Sequence, residues 1–304
     1  MKTILMIINP RAGKNSKRAN TGDIVKAFKN RGLDCFEKTT TCRGDATDIA
    51  FRYGGKYDAV LCCGGDGTYN EVVNGIMRAG HKTPLIYLPC GSTNDFANTL
   101  EIFNDPEKAA QMYVDGLINS FDVGKFNDRY FSYIASFGVG TEISYNTSQT
   151  VKNLIGHSAY IINGFVLHII PIISHLKALH LKIEYDGGVI EDDFLFGAIS
   201  NTNEVSGIFK FDKCGVKMND GLLEVLLVKK VNVVQVFGLF GKLLKQDYND
   251  DKMLLFKTDK LKITAAEDIP WTLDGEFGGA YKNMEIEVCK QAVNLVSPKN
   301  KFLE

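Results

Sequence analysis

Between Ala59 and Asn70 the chain runs from an apolar segment, Ala59–Cys63, straight into Gly64-Gly65-Asp66-Gly67-Thr68-Tyr69-Asn70-Glu71. An apolar run of that length reads as a buried strand, and Asn70–Arg78 reads as a helix that stops near Gly80. A strand joined to a helix through three glycines forces a tight turn whose backbone can approach a ligand closely. The amides at the start of the helix then favour an anion. Asp66 in the same turn would repel a phosphate directly, so its presence points to a divalent cation or ordered water between the two. Alone, the motif also fits an ordinary structural turn.

The surrounding pattern makes the feature more specific. Thr3–Asn9, Cys35–Thr40, Ala59–Cys63 and Leu85–Leu88 read as strands. They alternate with helix-like stretches at Lys17–Arg31, Asp45–Tyr53 and Asn70–Arg78, and another helix opens at Asp95–Leu100. That rhythm predicts an α/β N-terminal domain with a parallel sheet covered on both faces. Beyond about Asp122, strand-like segments at Phe131–Ala135, Leu181–Tyr185, Phe194–Ser200, Leu222–Val228 and Lys260–Thr264 are separated by Asp186-Gly187-Gly188 and Asn219-Asp220-Gly221. They predict a mainly antiparallel β C-terminal domain. A helical insertion from Val151 to Leu179 interrupts it. The boundary falls at 124/125, with an α/β first domain (1–124) and a β-rich second (125–304) whose last residues are able to pack back on the first.

Two more turns follow strands in the first domain. Asn9-Pro10-Arg11-Ala12-Gly13-Lys14 lacks the glycine spacing of a Walker A loop but supplies amides and a cation. Pro89-Cys90-Gly91-Ser92-Thr93-Asn94-Asp95 opens a helix, with Asn94 or Asp95 as its N-cap and Ser92 and Thr93 as short donors. In a parallel sheet these turns share one edge, where ligands bind. Near the other end, Trp271-Thr272-Leu273-Asp274-Gly275-Glu276 puts two carboxylates in a turn. Glu276 can orient an alcohol and accept its proton if the turn faces the cleft.

These units, in this order, resemble the diacylglycerol kinase catalytic family, and most closely its soluble bacterial branch. The resemblance implies that Asn9, Pro10, Arg11, Ala12 and Gly13, then Thr40, then Gly64, Gly65, Asp66, Gly67, Thr68, Asn70 and Glu71, and finally Ser92, Thr93 and Asn94 bind the nucleotide. It implies an aspartate, water and Mg²⁺ network through Asp66, Asp95 and Asp122, with Glu276 as general base and Asp274 beside it in the catalytic turn. It also implies a structural Mg²⁺ held by the Asp220 side chain and the Lys217 and Leu222 carbonyls. ATP and Mg²⁺ are the implied cofactors, and a lipid hydroxyl, most directly that of diacylglycerol, is the acceptor. Another lipid acceptor of sphingoid or polyprenol type, an NAD kinase, and a nonenzymatic lipid or nucleotide sensor remain alternatives.

Composition narrows the partners. Lys plus Arg number 35 and Asp plus Glu 36, a net charge of −1, which gives no overall pull toward nucleic acid. The seven cysteines form no CxxC pair and read as reduced thiols of a cytosolic protein. Ile4–Ile8 is too short for a signal peptide. The apolar stretch Ala159–Leu176 is broken by Asn163, His168, Pro171 and His175, which argues against a spanning helix. The expectation is a cytoplasmic protein working peripherally at a membrane, open to homodimerisation. The apolar side chains from Tyr160 to Ile173 present a wide face, for packing or for lipid, and Lys14, Lys17 and Arg18 are able to meet anionic headgroups.

Overall fold

A computed structural model of the protein describes residues 2–13, 20–92, 94–138, 178–202, 204–205, 209–210, 215–298 and 303. Lys14, Lys17, Arg18, Thr93 and the segment expected to be helical, up to residue 177, lie outside the described residues.

The first half contains β1 (Lys2–Ile8), α1 (Thr21–Lys29), β2 (Leu33–Thr39), α2 (Asp45–Tyr53), β3 (Ala59–Gly64), α3 (Asp66–Ala79), β4 (Leu85–Pro89), α4 (Asp95–Thr99) and α5 (Pro106–Val114). β1 pairs in parallel with β2 and β3, and β3 in parallel with β4. Side chains alternate across each strand. Ile4, Met6 and Leu61 therefore face Phe28 of α1 and Tyr113 of α5. Leu5, Ile7 and Val60 face Val72 and Ile76 of α3 and Ala50 of α2 on the other side. Complete burial of a side chain such as Phe28 contributes roughly 1.5–3 kcal/mol. Cys62 and Cys63 are core residues of β3, and burial raises both thiols, which keeps them protonated.

The second half continues with β5 (Ile118–Phe126), β6 (Arg129–Phe131), β7 (Ile134–Gly138), β8 (Leu179–Tyr185), β9 (Gly188–Ser200), the short pair β10 (Glu204–Val205) and β11 (Phe209–Lys210), and β12 (Leu223–Lys229). Then come α6 (Val233–Leu244), β13 (Met253–Thr258), β14 (Lys260–Leu273) and β15 (Glu276–Val296). These strands pair antiparallel, around a core in which the Trp271 ring lies 4.8 Å from both Phe126 and Phe137.

β15 falls where the sequence analysis names no strand, and it joins the halves. It pairs first with β14, then with β5, and at Leu295 lies parallel beside Leu85 of β4. One sheet therefore runs from β13 to β2. The order β4-β3-β1-β2 puts the C-terminal ends of these strands, and the turns that follow them, along one edge.

Candidate active site

The turn after β1 folds against the turn after β4. Gly13 has φ +68°, and a Cβ there would stand 1.9 Å from the Cys90 carbonyl oxygen, so only glycine permits this approach. The turns after β3 and β4 touch through Gly65 and Gly91, where a Cβ on Gly91 would lie 2.7 Å from the Gly65 Cα. Asn9 Nδ2 donates to Thr68 Oγ1 at 2.9 Å, linking the first turn to the glycine loop. The start of α3, with its unpaired amides, faces a cleft of 380 Å³ lined by Asn9, Arg11, Thr40, Arg43, Gly65, Gly67, Arg129 and Glu276, among others. Thr40 is buried and its hydroxyl donates to the Ile8 carbonyl, so it shapes the wall.

Glu276 reaches this cleft because of a hairpin. Leu273 pairs with Glu276 around Asp274-Gly275, whose φ values of +48° and +80° match the positive pair a tight type I′ turn needs. The Asp274 carboxylate anchors the turn from within. It accepts from Ser132 N (2.7 Å), Tyr133 N and Ile134 N (both 3.0 Å) and Asn70 Nδ2 (2.7 Å). It is 3% exposed, and desolvation raises its pKa despite those four donors. Glu276 Oε1 comes to 3.4 Å from where a Cβ on Gly67 would stand. Its Oε2 lies 3.3 Å from Arg43 Nη2.

Asp66 and Asp95 come together as read from sequence. Asp66 Oδ2 accepts from Asp95 N at 3.1 Å, while Asp66 Oδ1 is buried with no hydrogen-bond partner among the described residues. Burial first, and the Asp95 charge second, push the Asp66 carboxyl up to about 6. A buried orphan carboxylate oxygen beside a second carboxylate at the mouth of an amide-rich turn fits a divalent cation. Tyr133 is buried behind the Asp274 turn, and burial first, then the Asp274 charge, pushes its hydroxyl well up.

Several of the expected site residues also hold the scaffold together. Asp122 does not share a hydrogen bond with Asp66 or Asp95 among the described residues. Its oxygens accept from Gly221 N and Gln291 N, both at 2.6 Å, holding the 219–221 turn against β15. Glu71 lines the cleft, but its carboxylate accepts from Gly44 N and Ala46 N. It caps α2, whose N-cap residue, Gly44, has no side chain to do so. Asn94 at φ +55° bonds the amide and carbonyl of Gly91 with its own side chain and so builds the turn. Ser92 is exposed beside it. Asp220 has Lys257 Nζ 3.6 Å from its carboxylate and Lys290 Nζ 3.2 Å from its carbonyl, while Lys217 Nζ donates to the Leu303 carbonyl. One ammonium thus stands at the Asp220 side chain and another at its backbone carbonyl. No cluster of three or more metal-ligating His, Cys, Asp or Glu residues occurs among the described residues.

Arg43, Arg129 and Tyr133 escaped the sequence reading. Arg43 stands directly before Gly44-Asp45-Ala46, and Arg129 follows the Asn127-Asp128 turn, so position relative to turns was the available signal.

Glycine turns at neighbouring strand ends, arginines from separate segments and a carboxylate facing them line the cleft of an α/β protein. The chain belongs to the diacylglycerol kinase family. A model of the diacylglycerol kinase catalytic domain matches residues 3–126. A diacylglycerol kinase of Bacillus subtilis (strain 168) is 30% identical over 99% of this chain and 98% of its own length. One from Staphylococcus aureus (strain bovine RF122 / ET3-1) is 32% identical over 91% and 87%. The crystal structure of a putative diacylglycerol kinase from Bacillus anthracis str. Sterne shares the fold, with a TM-score of 0.76 over 98% of this chain and 97% of that one, at 24% identity.

Proposed function

We propose that this protein transfers the γ-phosphoryl group of ATP to the hydroxyl of diacylglycerol, giving phosphatidic acid. The observation that carries the reading is Glu276 against Gly67: a carboxylate from the last hairpin meets the glycine loop across the cleft. Relatives named diacylglycerol kinase along nearly the whole chain support the acceptor.

In this reading the segment up to residue 124 holds the nucleotide and the β-rich remainder holds the lipid. Asn9 to Gly13, Thr40, Gly64 to Thr68 and Ser92 shape the phosphate side, with backbone amides as the main donors. Asp66 and Asp95 would hold Mg²⁺, which when bound neutralises phosphate charge. Glu276 accepts the proton of the attacking hydroxyl as the phosphoryl group is transferred to its oxygen. Asp274 fixes the position of Glu276. Catalysis then rests on positioning and electrostatics. The protein works from the cytoplasm at the membrane surface, and among the described residues no helix is long and apolar enough to cross a membrane.

Labelled ATP supplied with micelles of diacylglycerol, sphingosine, ceramide and undecaprenol tests this. Label in phosphatidic acid is the expected result. Label in another lipid alone reassigns the acceptor, and label in none overturns the kinase reading.

A further inference from the structure

The arginines of the cleft are held differently. Arg129 Nη1 donates to the Phe277 carbonyl at 2.9 Å, which ties it to the hairpin tip. The Arg11 backbone amide is bonded to Asn9 Oδ1 within the first glycine turn. The Arg43 guanidinium has a single ionic partner among the described residues, Glu276 Oε2 at 3.3 Å. The two side chains are 67% and 52% exposed, so water screens the pair and it is weak.

The backbone beneath Arg43 is firmly placed. The neighbouring Gly44 amide donates to Glu71 Oε1 at 2.9 Å, the Ala46 amide to Glu71 Oε2 at 3.2 Å, and Thr47 Oγ1 to the Glu71 carbonyl at 3.0 Å. Glu71 sits on α3, the helix that starts at the glycine loop. The root of Arg43 is therefore clamped to the phosphate-facing helix, while its head is restrained only by a screened contact. The carboxylate it touches also lies over Gly67, so the guanidinium stands at the same end of the cleft as the proposed base.

We infer that Arg43 is a phosphate-binding residue that exchanges partners. Its guanidinium pairs with Glu276 in the structure; a nucleoside triphosphate, once bound, takes it over through the terminal phosphate, leaving Glu276 to the acceptor hydroxyl. This rests on the kinase reading above and deepens it. The chemistry favours the exchange: a phosphate offers a planar guanidinium two acceptor oxygens and more charge than one screened carboxylate. A lysine would keep the charge and lose the fork. The exchange also couples nucleotide binding to release of the base, so Glu276 becomes free to take a proton when there is a phosphoryl group to transfer.

Calorimetry on the full chain with Mg²⁺ tests it, titrating ATP and ADP into the parent, R43M, R43K and E276Q. R43M is expected to weaken ATP about tenfold and to leave ADP within about twofold. R43K should fall between R43M and the parent, and E276Q, which removes the competing carboxylate, should bind ATP at least as tightly as the parent. An R43M protein with parental ATP affinity, or one that loses ADP as severely as ATP, overturns the inference; so does an E276Q protein that binds ATP more weakly. The two readings separate cleanly. A parent that binds ATP as described and labels no lipid overturns the lipid kinase reading alone, whereas a parent that labels diacylglycerol beside an R43M protein of unchanged ATP affinity overturns the Arg43 exchange alone.

Discussion

Asn70 Nδ2 donates a 2.7 Å hydrogen bond to Asp274 Oδ2 across 204 positions of sequence. Asn70 lies one turn into the helix that follows the glycine loop, and Asp274 lies two residues before Glu276. This bond, with the amides of Ser132, Tyr133 and Ile134 on the same carboxylate, sets where Glu276 stands relative to Gly67. Asn74, one turn further on, extends the clamp by accepting from Tyr130 N and donating to the Tyr130 carbonyl, each at 3.0 Å.

Replacing Asp274 should therefore damage stability and turnover together. D274A leaves three backbone amides and an Asn70 amide group without their acceptor in a buried place. A loss of about 2–4 kcal/mol is expected in urea unfolding, with transfer activity reduced even at temperatures where the variant stays folded. Unfolding midpoints equal to the parent's would contradict the anchoring role.

Glu276 predicts the opposite split. It is half exposed and, among the described residues, makes one screened ion pair, so E276Q should fold normally. Loss of a general base should lower kcat by roughly 10²–10⁴-fold, with ATP binding retained. Turnover within a few-fold of the parent would remove Glu276 from its assigned role.

Glu224 gives the chain a pH-dependent stability. It is 1% exposed, paired with Lys257 at 3.0 Å, and desolvation pushes its carboxyl up to about 7 from an ordinary value of 4.5. A folded-state pKa above the unfolded one means the folded chain binds the extra proton. Stability is highest below the unfolded value and falls as pH rises toward and through 7. Between pH 4.5 and pH 8 the parent should lose roughly 2–3 kcal/mol more than E224Q. Parallel stability curves for the two proteins would show that Glu224 does not titrate in this way.

Gly13 tests the packing of the turns. G13A puts a side chain at positive φ and directs it at the Cys90 carbonyl oxygen. We expect a stability loss of about 1–3 kcal/mol and at least tenfold weaker ATP binding, because the turns after β1 and β4 can no longer close on each other. ATP affinity at the parent's level would mean that the cleft tolerates separated turns.

The elements were legible where local pattern dominates. Ala59–Cys63 was readable because an unbroken apolar run survives only between two covering layers, and Asp274-Gly275 because few residue pairs accept two positive φ values. The 21-residue β15 was not, because it runs along three partners in turn, β14, β5 and β4, and pairing with distant strands leaves no local signature. Glu71 and Asn94 show a related limit of local sequence. A polar residue in a glycine-rich motif looks the same whether it faces a ligand or completes the turn of a neighbour. Only their bonds to Gly44 and Gly91 distinguish the two.

By itself the amino-acid order determined that glycine turns follow the buried strands β1, β3 and β4, that acidic residues stand in or beside the turns after β3 and β4, and that an Asp-Gly-Glu hairpin closes the chain's last strand pair. Backbone sterics and side-chain alternation are local, so they are written in neighbouring residues. Tertiary structure alone decided that Asp274 is buried under Asn70, that Asp122 serves the 219–221 turn, and that Arg43 meets Glu276. Those outcomes depend on which distant groups share a small desolvated volume, where an unpaired charge or amide is costly, and no stretch of contiguous sequence encodes that proximity.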